Sequence, residues 1–154
     1  MRRSDLGLLT LRLTTGSVLA AHGLPKLFGG PDRRPPALLS SLMGSNYAPA
    51  WERSGIAAFA GHLEKMGVPM PEMAARASAL AELGGGLALA LGAATPMASL
   101  ASVVNMAVAV RKAHWKTGLY GQGGYEFALV LGAAALAIGL SGPGSISVDR
   151  LFKR

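Results

Sequence analysis

The chain has 154 residues, of which 51% are hydrophobic, 21 are glycine and only 15% are charged. Apolar residues plus glycine make up roughly 63% of it, where a soluble domain holds about 45–50% and carries about 25% charged residues. With a mean hydropathy of +0.37, these figures exclude a disordered chain and argue against a soluble globular domain. The absence of cysteine excludes disulfides, thiolate metal sites, iron–sulfur ligation and CxxC redox chemistry. The formal charge of +7 is scattered over both termini and two loops. It forms no basic stripe and no aromatic stacking motif, so it points to helix flanks at lipid headgroups and not to nucleic acid. A small polytopic membrane protein is expected, with the lipid bilayer as its first partner.

The first apolar run, 6–24, opens after Met1-Arg2-Arg3 and closes at Pro25. Its basic start and the Ala20-Ala21 pair resemble a signal peptide, but Arg12 in mid-run argues for a retained span. A proline-rich turn, Pro31 to Pro36, follows. Ile56, Phe59, Leu63 and Met66 then recur at three- and four-residue spacing, which predicts an amphipathic helix over 51–66 ended by Gly67 and Pro69. Such a helix either lies on the membrane surface or packs over the loop side of a bundle.

The second span, 74–94, has a glycine-rich centre and is ended by Thr95-Pro96. The third, 97–114, and the fourth, 125–141, are short, so their flanks must lie in the headgroup layer. Gly142-Pro143-Gly144 stops the fourth. Gly84, Ala88 and Gly92, then Ala128 with Gly132 and Ala135 with Gly139, are small residues at four-residue spacing that let helix backbones approach. The expected fold is all-α: one membrane domain over 1–154, a four-helix transmembrane bundle with an extra amphipathic helix between spans one and two.

An even number of spans puts both termini and the Thr95-Pro96 turn on one side, and the two longer connections on the other. Arg2, Arg3, Arg150, Lys153 and Arg154 flank the termini, and span one usually dominates orientation, which favours cytoplasmic termini. His22, Lys26, Arg76, His114 and Glu126 then gather toward the loop side.

Ionisable side chains within a span mark functional sites by default. Glu82 lies about 12 Å into span two at 1.5 Å per residue. It either pins the bundle by pairing with Arg12 or takes part in ligand or proton chemistry. Arg12 can also snorkel to its own interface. Arg12, His22 and Lys26 share one broad stripe of span one, where Lys26 alone reads as a headgroup anchor. Asn105, with Ser102 and Ala109, makes a polar stripe that bridges helices or contacts a substrate. His114 faces Glu126 across a short loop, either to relay protons or to staple the loop. No Glu-x-x-His, His-Glu-x-x-His, G-x-S-x-G or P-loop occurs, so no metal site is expected. Axial haem ligation by His22 and His114 is disfavoured, because both sit at one membrane edge.

Taken in order, Arg12-Leu13 with Gly16, His22-Gly23, Lys26-Leu27-Phe28-Gly29, Leu63-Glu64 with Gly67 and Pro69, and Glu82 with Gly85-Gly86 form a pattern. It continues through Gly92 with Thr95, His114 with Gly118, Gly124-Tyr125-Glu126, and Gly142-Pro143-Gly144 with Ser147 and Asp149. The whole resembles the DoxX family of small bacterial membrane proteins. The resemblance implies a four-helix protein of the bacterial inner membrane. The family takes its name from the small membrane subunit of a thiosulfate:quinone oxidoreductase, and other members are accessory components of redox or oxidative-stress assemblies.

Three readings follow. The first is an accessory or scaffold subunit that holds a redox protein partner, with no covalently bound cofactor and quinone as the associated small molecule. The second is a binding or transport protein for a small lipophile or anion, with Lys26, Arg76, His22, His114 and Glu126 at its mouth and Glu82 at depth. The third is a quinone-dependent oxidoreductase using His114 or Glu82 as acid–base. A homo-oligomer is compatible with each.

Overall fold

The computed structural model describes residues 3–152, and every regular element among them is helical. Arg2, Lys153 and Arg154, on which part of the orientation argument rests, lie outside the described residues. The helices are α1 (Arg3–Phe28), α2 (Ala37–Met43), α3 (Tyr47–Glu52), α4 (Ile56–Lys65), α5 (Pro71–Leu91), α6 (Thr95–Val108), α7 (Glu126–Ser141) and α8 (Val148–Leu151). Between α6 and α7 the backbone forms a π-helical stretch, Ala109–His114, and a short 3-10 turn, Trp115–Thr117. The chain divides into two compact units, one of the residues up to Ala20 with those from Gly84, the other of Ala21–Leu83.

In the first unit, α1 meets the end of α5 at paired glycines. A Cβ on Gly16 would collide with the Gly86 carbonyl, and one on Gly86 with the Ala20 amide and the Gly16 carbonyl. The close approach in this region therefore belongs to Gly16 and Gly86, whereas Gly84 faces open space. Packing of α6 on α7 buries Ala98 and Met106 against Ala128, Leu131, Ala135 and Ile138. Ser99 Oγ donates to the Ala135 carbonyl at 2.6 Å, and a side chain at Gly139 would strike Ser99.

The α5–α6 turn differs from the sequence expectation. Helix α5 stops at Leu91, with Gly92 in the left-handed region (φ 65°) and the Ala93 amide bonded back to the Ala88 carbonyl at 2.8 Å. Thr95 and Pro96 therefore open α6 instead of closing α5, which suits a proline whose missing N–H has no partner in the first turn anyway.

In the second unit, α1 runs through Pro25 to Phe28. Proline has no N–H, so the Ala21 carbonyl one turn earlier loses its intrahelical donor. The Tyr47 hydroxyl takes that place, donating to Ala21 at 3.2 Å. The amphipathic helix expected over 51–66 is broken into α3 and α4 by Gly55 at φ 100°. The Gly55 amide donates to Pro25 and the Gly30 amide to Trp51, at 3.1 and 3.0 Å, and a Cβ on Gly55 would meet the Gly29 carbonyl. This backbone crossing needs a bend where a continuous helix was expected. Helix α2 was not anticipated; its Leu38 and Leu42 are exposed.

The buried positions of α5 include Ala75, Ala79 and Glu82 in one unit and Gly86 and Leu89 in the other, all on one helical stripe. Among the described residues α5 is the one helix long and apolar enough to cross a membrane; its 21 residues reach about 31 Å at 1.5 Å each. Helix α7 is apolar but shorter.

Candidate functional site

The polar centre of the second unit is built by α1, α4 and α5. His22 and Lys26 lie one turn apart on α1, and Glu82 falls on the buried stripe of α5. Both carboxylate oxygens of Glu82 stand 2.6 Å from Lys26 Nζ. The Glu82 side chain is 6% exposed and that of Lys26 23%. The ammonium group also sits 4.4 Å from the Phe59 ring centroid, within cation–π range. Lys26 belongs to the last turn of α1, where the helix dipole favours a cation. His22 lies in the electrostatic field of both Glu82 and Lys26. In the same unit, Trp51 is buried with its indole N–H unpaired.

In the first unit, Arg12 is 2% exposed and donates three ways: Nε to the Leu89 carbonyl at 3.1 Å, Nη2 to Ala90 at 3.2 Å, and Nη1 to Pro143. Two of these acceptors lie in the last turn of α5, so a cation meets the negative end of that helix. Asp149 does the opposite for α6. Its carboxylate accepts from the Ala94 and Thr95 amides at 2.7 and 2.9 Å, while its own amide donates to Gly92. The α5–α6 turn is thus held between a cation on the outgoing helix and an anion on the incoming one. Thr95 itself is fully buried, with its hydroxyl unpaired.

These placements revise the sequence expectations for individual residues. Glu82 has Lys26 as its counter-ion, in place of the anticipated Arg12, whose guanidinium is engaged by the three backbone carbonyls. Arg76 ion-pairs with Glu72 at 2.6 Å on the exposed face of α5. Asn105 is half-buried on α6, and the neighbouring Ser102 hydroxyl bonds within its own helix, to Ala98. His114 Nδ1 lies 2.8 Å from the Gly123 carbonyl, which fixes the proton on that nitrogen and ties the loop to the end of the π-helical stretch. The Glu126 backbone amide donates to Leu119 in the same loop. Among the described residues no three His, Asp or Glu side chains converge as metal ligands would.

Sequence reasoning missed the roles of Tyr47, Phe59, Ser99 and Asp149. Pro25 carried a signal for Tyr47, since a proline inside a helix leaves a carbonyl in need of a donor.

Polar groups share the interior with the apolar core, and large apolar side chains crowd the surface. Arg12, Thr15, Glu82, Thr95, Ser99 and Ser102 are buried, while Leu80, Leu87, Leu91, Met97, Leu100, Val130 and Leu140 are all at least half exposed. Apolar side chains exposed so widely, together with buried charges, suit an all-helical protein whose solvent is lipid. The sequence profile of the DoxX family matches residues 7–115, and the chain belongs to that family of membrane proteins. Arg12, His22, Lys26, Glu82, Asn105 and His114 fall inside the match, whereas Glu126 and Asp149 lie beyond it. No curated protein and no solved structure matches the chain.

Proposed function

We propose that this DoxX protein is a four-span subunit of the bacterial inner membrane with cytoplasmic termini, forming one membrane domain. Its role is that of an accessory scaffold in a quinone-linked redox or oxidative-stress assembly. The observation that carries this reading is the internal engagement of its deepest charges. Glu82 is closed onto Lys26, and Arg12 onto three backbone carbonyls. Charges engaged in this way fix helices, whereas a general acid or base stands within reach of a substrate proton. The absence of cysteine removes thiolate-held metal and iron–sulfur centres, which supports a partner's cofactor as the carrier of electrons in the assembly.

A second reading, binding of a small lipophile such as quinone or of an anion, is favoured by one observation. Lys26 keeps partial exposure and lies against Phe59, so a cation and an aromatic face are presented together. Extraction in mild detergent followed by native mass spectrometry separates the two. Co-purification of a protein partner carrying flavin or another redox cofactor is expected. A lone chain that retains quinone or another lipophile overturns the scaffold reading in favour of the second.

A further inference from the structure

Met97, Leu100, Val104 and Val108 form an exposed apolar stripe along α6, at three- and four-residue spacing. From first to last the stripe spans about 16 Å at 1.5 Å per residue, close to one leaflet of a hydrocarbon core about 30 Å thick. Where the stripe ends the helix widens into the π-helical stretch Ala109–His114, an irregularity that occurs often at functional sites. Arg111, Lys112 and Lys116 are exposed there. Trp115, 54% exposed, stacks on Tyr125 with ring centroids 5.5 Å apart and planes within 14°. The Arg111 guanidinium lies 6.0 Å from the Trp115 ring. The His114–Gly123 hydrogen bond and the Tyr125 and Glu126 amides, which donate to Gly118 and Leu119, brace the loop behind these side chains. The sequence holds no acidic residue between Glu82 and Glu126, so no neighbour along the chain compensates the positive charge.

We propose that the end of α6 is a binding site for an anionic phospholipid. Its phosphate lies among Arg111, Lys112 and Lys116, its glycerol region beside Trp115, and one acyl chain along Met97 to Val108. Nucleic acid or an acidic protein surface answers the charges but leaves the adjoining apolar stripe without a partner. An amphiphile satisfies both, and the aromatic pair sits where the polar and apolar parts of a lipid meet. The inference rests on α6 spanning the bilayer.

The test measures adducts of phosphatidylglycerol and phosphatidylcholine on the detergent-purified protein by native mass spectrometry, with folding of each variant checked by circular dichroism. The parent is expected to prefer phosphatidylglycerol. K112Q/K116Q should weaken that preference by roughly fivefold per residue removed, about 30-fold in all. The charge-matched control R53Q/K65Q, altered in exposed residues elsewhere, should retain it. Equal binding of the two lipids by the parent overturns the site, as does an equal loss in the control. Displacement of the lipid by millimolar inorganic phosphate assigns the site to a free anion and overturns the lipid assignment. Membranes washed with alkaline carbonate provide the separate check: release of the protein there refutes the spanning of the bilayer itself, independently of any lipid preference.

Discussion

A carboxylate and an ammonium group 2.6 Å apart, with the carboxylate side chain 6% exposed, are held together by mutual need. Their attraction offsets desolvation only while both are present, and removing one strands the other. Glu82→Gln should therefore destabilise the protein by roughly 3 kcal/mol, the low end for a broken buried pair, because Lys26 keeps some solvent contact. Replacing both partners with apolar residues, Lys26→Met with Glu82→Leu, should return the stability measured by unfolding in detergent to within about 1 kcal/mol of the parent. A double variant as unstable as the single would show that Glu82 does more than neutralise Lys26. The sequence marks Glu82, Arg12 and Lys26 as residues that a membrane interior does not tolerate unpartnered, and that much was legible. Their choice of partner was not, because it depends on how α1 and α5 are rotated about their axes. Spacing along either helix alone carries no such information, so Lys26 reads as a headgroup anchor until Glu82 is seen beside it.

Single helices owe their shape here to exceptions rather than to periodicity. Pro25 sits inside α1 because Tyr47 supplies the donor that proline lacks. Burial holds the Tyr47 hydroxyl above its usual pKa, so it remains a donor across the neutral range; any stability it adds through that shift is present below pH 10 and lost at more alkaline values. Tyr47→Phe should cost about 1–2 kcal/mol by orphaning the Ala21 carbonyl. The same substitution in a Pro25→Ala background should cost much less, since an alanine amide can bond Ala21 within the helix. Equal losses in both backgrounds would contradict this account. The run Gly84-Gly85-Gly86 offers a parallel contrast. Gly84→Ala meets open space and should stabilise α5 by up to about 1 kcal/mol through helix propensity. Gly86→Ala meets α1 backbone and should cost about 1–3 kcal/mol; equal midpoints for the two variants would remove the special role of Gly86. Apolar runs and glycine–proline punctuation located the long helices to within a few residues. They did not reveal the break at Gly55, which is imposed by the loop after α1, or the two-turn helix α2, although Leu38, Leu39, Leu42 and Met43 recur there at three- and four-residue spacing.

At the scale of the whole molecule, composition carried the main conclusion. A chain so rich in apolar residues and glycine has too few charges to cover a water-facing surface, and the apolar side chains exposed on α5, α6 and α7 are where they went. The proposed topology follows from parity alone: with four spans, the first long connection and the α6–α7 loop face the same side. Arg34→Cys and Gln122→Cys, both at exposed positions in a chain free of native cysteine, should react with an impermeant maleimide from one side of intact vesicles. Labelling from opposite sides would rule out four spans. Orientation is the least legible property, because the basic residues at the termini and in the long connections pull the positive-inside rule in both directions.

The Asp149 cap has a consequence for the order of events during synthesis. The α6 amides it serves leave the ribosome 54 and 55 residues earlier. Until the later segment follows, the turn between α5 and α6 has lost its anionic bracket, and Arg12 lacks its acceptor on Pro143. The α5–α6 hairpin is therefore complete along the chain before the segment that brackets its turn is made, so the contacts of residues 142–149 can close only after both helices have been synthesised.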